Sequence, residues 1–121
     1  MTHKVLIADD EPNIVISLEY LMKREGYEVH VARDGEEALA ALRRVRPALV
    51  LLDVMMPKKS GYEVLAAARA DEQLAGLKVL MLTAKGRDTD VAQGMGLGAD
   101  AYMTKPFSTQ ALAAKVRELL A

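Results

Sequence analysis

The chain has 121 residues and is nearly neutral, with 16 Lys+Arg against 17 Asp+Glu for a formal net charge of −1. With 51% hydrophobic and 27% charged residues it has a globular composition, which excludes a disordered or fibrous chain, and its length suits one domain, residues 1–121. Near-zero charge removes the broad electrostatic argument for nucleic acid as a direct ligand, and the absence of Cys excludes a disulfide framework, a Cys-based zinc site and thiol chemistry.

The chain runs from Met1 straight into Val5-Leu6-Ile7-Ala8, an apolar run too short for a signal peptide or a membrane span. A soluble, cytoplasmic domain that does not enter the membrane is therefore expected. This run reads as a first strand. Ile14, Val15, Leu18, Leu21 and Met22 then recur at helical spacing until Gly26. Tyr27 to Ala32 reads as a second strand, and Asp34-Gly35 turns into a helix with Ala38, Leu39 and Leu42 inward, ending before Pro47. Ala48 to Leu52 is apolar throughout, as in a strand buried on both faces of a parallel sheet. After Met55-Met56-Pro57, Gly61 opens a helix with Val64, Leu65 and Ala68 inward, and Lys78 to Leu82 is a fourth strand. A weak helix follows from about Asp88, where Gly94 and Gly96 each cost roughly 1 kcal/mol relative to Ala. Ala101 to Thr104 is a short fifth strand, and the last helix puts Leu112, Val116, Leu119 and Leu120 on one face, capped by Ser108 or Thr109. Five strands alternating with five helices predict an α/β fold, one doubly wound five-stranded parallel sheet with helices on both faces.

In such sheets ligands bind beyond the carboxyl ends of the strands. Asp9, Asp10 and Glu11 follow the first strand, Asp53 the third, Thr83 the fourth, and Thr104-Lys105-Pro106 the fifth. Taken singly, each has an ordinary explanation as a helix cap, a strand end or a solvated lysine. Together they are costly, since two like charges about 4 Å apart repel by about 4 kcal/mol at an effective dielectric near 20. A crowd of carboxylates needs cations; Lys105 supplies one charge and a divalent metal the rest. Oxygen-only ligands select a hard ion such as Mg²⁺. These are the parts for phosphoryl transfer to an aspartate, and Asp53, at the end of the central apolar strand, is the best nucleophile.

In these features the chain resembles the receiver domain of two-component response regulators, the CheY-like family. The resemblance covers essentially the whole length. It rests on Asp9-Asp10, Asp53 in Leu51-Leu52-Asp53-Val54-Met55-Met56-Pro57, Gly61, Thr83-Ala84, Gly98-Ala99-Asp100 and Lys105-Pro106-Phe107, in that order. It implies the flavodoxin-like strand order 2-1-3-4-5, for which this family's type member is a standard example. It also implies that Asp53 takes a phosphoryl group from a sensor histidine kinase or histidine phosphotransfer protein. Asp10, Asp53 and the backbone carbonyl of Met55 would bind Mg²⁺, with Asp9 acting through water. Thr83 and Lys105 would contact the phosphoryl oxygens, and a cis bond before Pro106 would aim the lysine inward. Tyr102 matches the switch aromatic. With Thr83 it would repack the surface of the fourth predicted helix, the fifth strand and the last helix, so as to control a downstream target protein or output domain. On this reading the domain is not an enzyme beyond its own phosphorylation and dephosphorylation.

Two departures qualify the resemblance. The positions tied to hydrolysis of the aspartyl phosphate carry Met55 and Lys85, neither of which orients a water well, so slow self-dephosphorylation is expected. Ala101 stands where the winged-helix branch carries a second Asp, and Lys115 lacks that anionic partner, which weakens the charged face of a phosphorylation-dependent dimer. The alternatives are a non-covalent metal-binding or protein-interaction domain, and a haloacid-dehalogenase-type phosphatase. The latter requires an Asp-x-Asp pattern that Asp9 and Asp10, being adjacent, do not form.

Overall fold

In the computed structural model, which describes residues 2–84, 96 and 98–121, five strands form one parallel sheet in the order β2-β1-β3-β4-β5. The strands are β1 (Lys4–Ala8), β2 (Glu28–Ala32), β3 (Leu49–Asp53), β4 (Lys78–Ala84) and β5 (Ala101–Lys105). Among the described residues the α-helices are α1 (Pro12–Arg24), α2 (Gly35–Val45), α3 (Gly61–Ala70) and α4 (Thr109–Leu120), with a 3₁₀ turn over Glu72–Leu74. The weak helix expected from about Asp88 lies outside the described residues.

The alternation of side chains along each strand divides the core in two. Leu6, Ala8, Val50, Leu52, Val79 and Met81 pack with Ala38, Leu42, Val64, Leu65 and Ala68 of α2 and α3. Val5, Ile7, Leu49, Leu51, Leu80 and Leu82 pack with Leu18, Leu21 and Met22 of α1 and with Leu112, Ala113 and Val116 of α4. Strand β3 sits at the centre of the sheet and all five of its residues are buried. Burying each of its three Leu side chains contributes about 1.5–3 kcal/mol, and that anchorage lets the strand carry Asp53 into the interior.

Helix starts follow local rules where structure alone is at stake. Asp34, Ser60 and Ser108 cap α2, α3 and α4 by accepting from the backbone N–H of Glu37, Glu63 and Ala111. Ser108, rather than Thr109, is thus the cap of the last helix. Helix α1 is the exception. Its cap position holds Glu11, whose side chain makes no capping bond, and the Glu11 N–H instead donates to Asp9 Oδ1 at 2.9 Å.

Candidate functional site

Parallel pairing sets the ends of adjacent strands side by side. Asp53 is in register with Leu82, and Thr83 and Ala84 with Thr104 and Lys105. The carboxyl edge of the sheet therefore gathers Asp9 and Asp10 beyond β1, Asp53 on β3, Thr83 on β4 and Lys105 on β5. Ligand atoms of Asp9, Asp10 and Asp53 all lie within 4.8 Å of one another. Asp9 is fully buried, Asp53 nearly so, and Asp10 is exposed.

Among the described residues, one cation serves this cluster. Lys105 Nζ lies 2.9 Å from Asp9 Oδ2, 3.1 Å from Glu11 Oε1 and 3.4 Å from Asp53 Oδ1. The peptide bond between Lys105 and Pro106 is cis, as the resemblance implied. Burial and then the Asp9 charge push the Asp53 carboxyl up to about 6, against the opposing pull of Lys105 and of the Met55 N–H. Burial works against the charge on Lys105, but its hydrogen bond to Asp9 and the charges of Asp53 and Asp9 outweigh it and hold the ammonium above its ordinary value. Asp53 is thus an ionisable group held in a site that resists its charge, the condition under which a bound cation or a covalent change at the carboxylate is favoured.

Two further details define the space around Asp53. The Met55 N–H donates to Asp53 Oδ1 at 3.3 Å, which fixes one carboxylate oxygen. Gly61 opens α3 directly behind the strand, donating its N–H to Val54 O at 2.9 Å, and a Cβ there would fall 2.3 Å from the Asp53 carbonyl oxygen. No side chain fits that approach, so glycine at 61 is a steric requirement. Thr83 is 1% exposed, and its Oγ1 has no hydrogen-bond partner among the described residues. Leaving a buried hydroxyl unpaired costs about 1–3 kcal/mol, so a partner supplied at that oxygen would be favoured.

The sequence-predicted residues thus converge: Asp9, Asp10, Asp53, Thr83 and Lys105 share one edge, and Met55 lies beside Asp53. Tyr102, in register with Met81, is half-buried and packs against the α2 and α3 side of the core. Lys85 lies outside the described residues. Sequence reasoning assigned no role to Glu11 as a partner of Lys105, although its place next to Asp9-Asp10 could have suggested one. It also missed Arg69. This residue donates to Leu77 O at 2.7 Å, Gly98 O at 3.0 Å and Asp100 Oδ2 at 2.8 Å, while Asp100 Oδ2 also accepts from Val79 N–H at 2.7 Å. That clamp lies at the opposite, amino edge of the sheet. No local spacing announces it, because Arg69 and Asp100 are 31 residues apart.

The donor set is all oxygen, carries up to three negative charges and sits beside a buried hydroxyl and an ammonium, which fits a hard divalent cation. No helix among the described residues is long and apolar enough to cross a membrane.

Comparison with known proteins agrees with this architecture. Residues 5–117 match the family described as the response regulator receiver domain. The alkaline phosphatase synthesis transcriptional regulatory protein PhoP of Bacillus subtilis is 47% identical over 120 residues, which is 99% of this chain and 49% of that protein. The chain therefore spans about half the length of this curated relative. Among solved structures, the chemotaxis response regulator CheY4 of Vibrio cholerae superimposes with a TM-score of 0.93 at 32% identity, covering 99% of this chain and 100% of the other. A CheY-like response regulator receiver domain protein of Methanospirillum hungatei gives 0.92 at 32% identity over 99% and 94%.

Proposed function

The chain belongs to the receiver domain family of two-component response regulators, a family of signalling domains, and from that premise we propose that Asp53 is its phosphoacceptor and that residues 1–121 act as one receiver unit. The observation that carries this reading is the pairing of an anion-resisting, nearly buried Asp53 carboxylate with the orphaned Thr83 hydroxyl and the Lys105 ammonium on the neighbouring strands.

In the proposed reaction an Asp53 carboxylate oxygen attacks the phosphorus of a phosphohistidine. The P–N bond breaks with its electron pair going to the imidazole nitrogen, which takes up a proton, and an acyl phosphate forms on Asp53. Asp10, Asp53 and the Met55 carbonyl would hold Mg²⁺, with Asp9 reaching it through water, and the ion would supply charge neutralisation of the transferring group. Lys105 lies within reach of Asp53 and would donate to a phosphoryl oxygen, and the Thr83 hydroxyl would satisfy its unmet hydrogen bond on another. The Met55 N–H keeps one carboxylate oxygen oriented so that the other faces the incoming group. Movement of the Thr83 side chain toward the new oxygens would open space next to Tyr102, making these two residues the switch; Pro106 and Gly61 are structural, shaping the loop and the backbone behind the nucleophile.

A sensor histidine kinase or phosphotransfer protein is the proposed donor, and a downstream target protein or an output domain the proposed receiver of the signal. Catalysis by the domain would be limited to its own phosphorylation and dephosphorylation. Family membership favours this reading over a non-covalent metal-binding role and over a phosphatase.

Incubation with acetyl phosphate and Mg²⁺ should add one phosphoryl group, located on Asp53 by peptide mass spectrometry, and Asp53→Asn should abolish it. Modification at another residue, or none, would overturn the assignment. With Met55 two residues after the nucleophile and Lys85 two after Thr83, the phosphoryl group should persist for hours in the absence of a partner; loss within seconds would contradict that.

A further inference from the structure

An ammonium has three N–H donors, and in the resting protein three carboxylates surround that of Lys105: it donates to Asp9 at 2.9 Å and to Glu11 at 3.1 Å and forms an ion pair with Asp53 at 3.4 Å. The three partners differ in burial. The side chain of Asp9 is fully enclosed and that of Asp53 is 6% exposed, whereas that of Glu11 is 58% exposed. If Lys105 is to donate to a phosphoryl oxygen, one of these contacts must be given up. Releasing Asp9 would strand a buried charge without compensation, which is strongly destabilising. Glu11 can return to water at almost no cost, since an exposed ion pair is worth little.

A second, independent observation singles out Glu11. It occupies the cap position of α1, where Ser, Thr, Asp or Asn would satisfy an orphan N–H, yet its side chain makes no capping bond. The other three α-helices with described starts all follow the capping rule. Breaking a local rule at the rim of a charged site is where function is expected to override helix stability.

Resting on the phosphoacceptor reading, we propose that Glu11 is a positioning residue for the reaction: it is the exchangeable third partner of Lys105, holding the ammonium ready in the resting state and yielding its place to a phosphoryl oxygen. Glu11 thus competes with the incoming anion, both by occupying an N–H of Lys105 and by placing one negative charge at the rim. The price of that competition is a slower reaction with highly charged donors.

The test compares the full chain with Glu11→Gln, using acetyl phosphate as donor, Mg²⁺ present, and intact mass to follow uptake. The second-order rate constant should rise about fivefold, in line with one unit charge acting across a half-exposed contact. Phosphoramidate, which carries less negative charge near neutral pH, should gain less than twofold, and raising the salt concentration should shrink the acetyl phosphate gain toward unity. A merely structural role would change both donors alike and would not respond to salt. Glu11→Ser removes the charge while supplying a good helix cap, so it should match the rate gain and melt at or above the wild-type temperature without metal. Equal or slower uptake by both variants, or equal gains with both donors, would overturn the role of Glu11 while leaving Asp53 as acceptor. Failure of the wild type to take up any phosphoryl group would overturn both.

Discussion

The two edges of the sheet each gather charged side chains, and they do opposite things with them. At the amino edge, Arg69 and Asp100 form a closed set. Three guanidinium donors meet two backbone carbonyls and one carboxylate, and the carboxylate also takes the Val79 N–H at the start of β4. Every partner named there is satisfied, and the result ties α3 to the starts of β4 and β5. At the carboxyl edge, among the described residues, Asp9, Glu11 and Asp53 share one ammonium, the Thr83 hydroxyl is sealed in without a partner, and Asp53 is pushed up to about 6. Similar residue types thus give a fastening in one place and an incompletely paired cluster in the other. What separates them is completeness of pairing rather than composition.

The comparison can be broken from either side. The largest effect is expected at the closed edge, where Arg69→Ala removes three donors and leaves Asp100 half-covered without its cation. It should lower stability by about 3 kcal/mol in chemical denaturation while leaving acetyl phosphate uptake by the folded fraction intact; a change below 0.5 kcal/mol, by the same standard for a surface substitution, would show the clamp to be ornamental. At the open edge, Mg²⁺ at a hundredfold excess over its dissociation constant should raise stability by about 2.7 kcal/mol. Asp10→Ala should remove most of that gain, and an unchanged melting curve on adding the ion to the wild type would argue against the site.

Next in size is the cost of holding Asp53 ionised. Its folded value of about 6 lies above the ordinary 3.8, so the folded state binds the proton more tightly than the unfolded chain. Stability referred to this group is full below about pH 4 and is lost as the pH rises through about 6. In metal-free buffer Asp53→Asn should therefore be more stable than wild type at pH 7, by about 2 kcal/mol after allowing for solvent near the carboxylate, and the difference should vanish near pH 4. A difference independent of pH would contradict the assignment of strain to this carboxylate. The smallest effect belongs to the loop that joins β3 to α3 at the carboxyl edge. Lys58 adopts a left-handed backbone conformation with φ 69°, which costs a side-chain-bearing residue about 1 kcal/mol, and Lys58→Gly should recover about half of that, the remainder being offset by glycine's greater freedom in the unfolded chain. Thermal denaturation of the two proteins side by side measures it.

The sheet and its helices were legible in the sequence because their signals are local. The unbroken apolar runs of β3 and β4 announce strands buried on both faces, and the spacing of Leu18, Leu21 and Met22 announces the buried face of α1. The site was legible because strand ends are positions in the sequence, so Asp9, Asp53, Thr83 and Lys105 could be placed on one edge before any coordinates. What could not be read was how the edge divides its hydrogen bonds. Whether Lys105 reaches Glu11 as well as the two buried aspartates, and whether the Thr83 hydroxyl finds a partner, depend on side-chain reach across strands that the sequence separates by dozens of residues. The Arg69 clamp was invisible for the same reason. Its acceptors are two backbone carbonyls and a carboxylate that only the finished sheet brings together.

Strand order carries a consequence of its own. Asp53, Thr83 and Lys105 are supplied by β3, β4 and β5, three consecutive ribbons running from the middle of the sheet to its rim. The innermost is packed on both faces and flanked on both sides, so it has nowhere to go; the outermost is bordered on one side only, and three of its five residues besides the lysine and Thr104 are merely half-covered. Any disturbance created at the middle can relax only sideways, and it reaches open solvent after crossing just two ladders. A domain wired this way can announce a chemical event at its perimeter without loosening the hydrocarbon interior that keeps it folded.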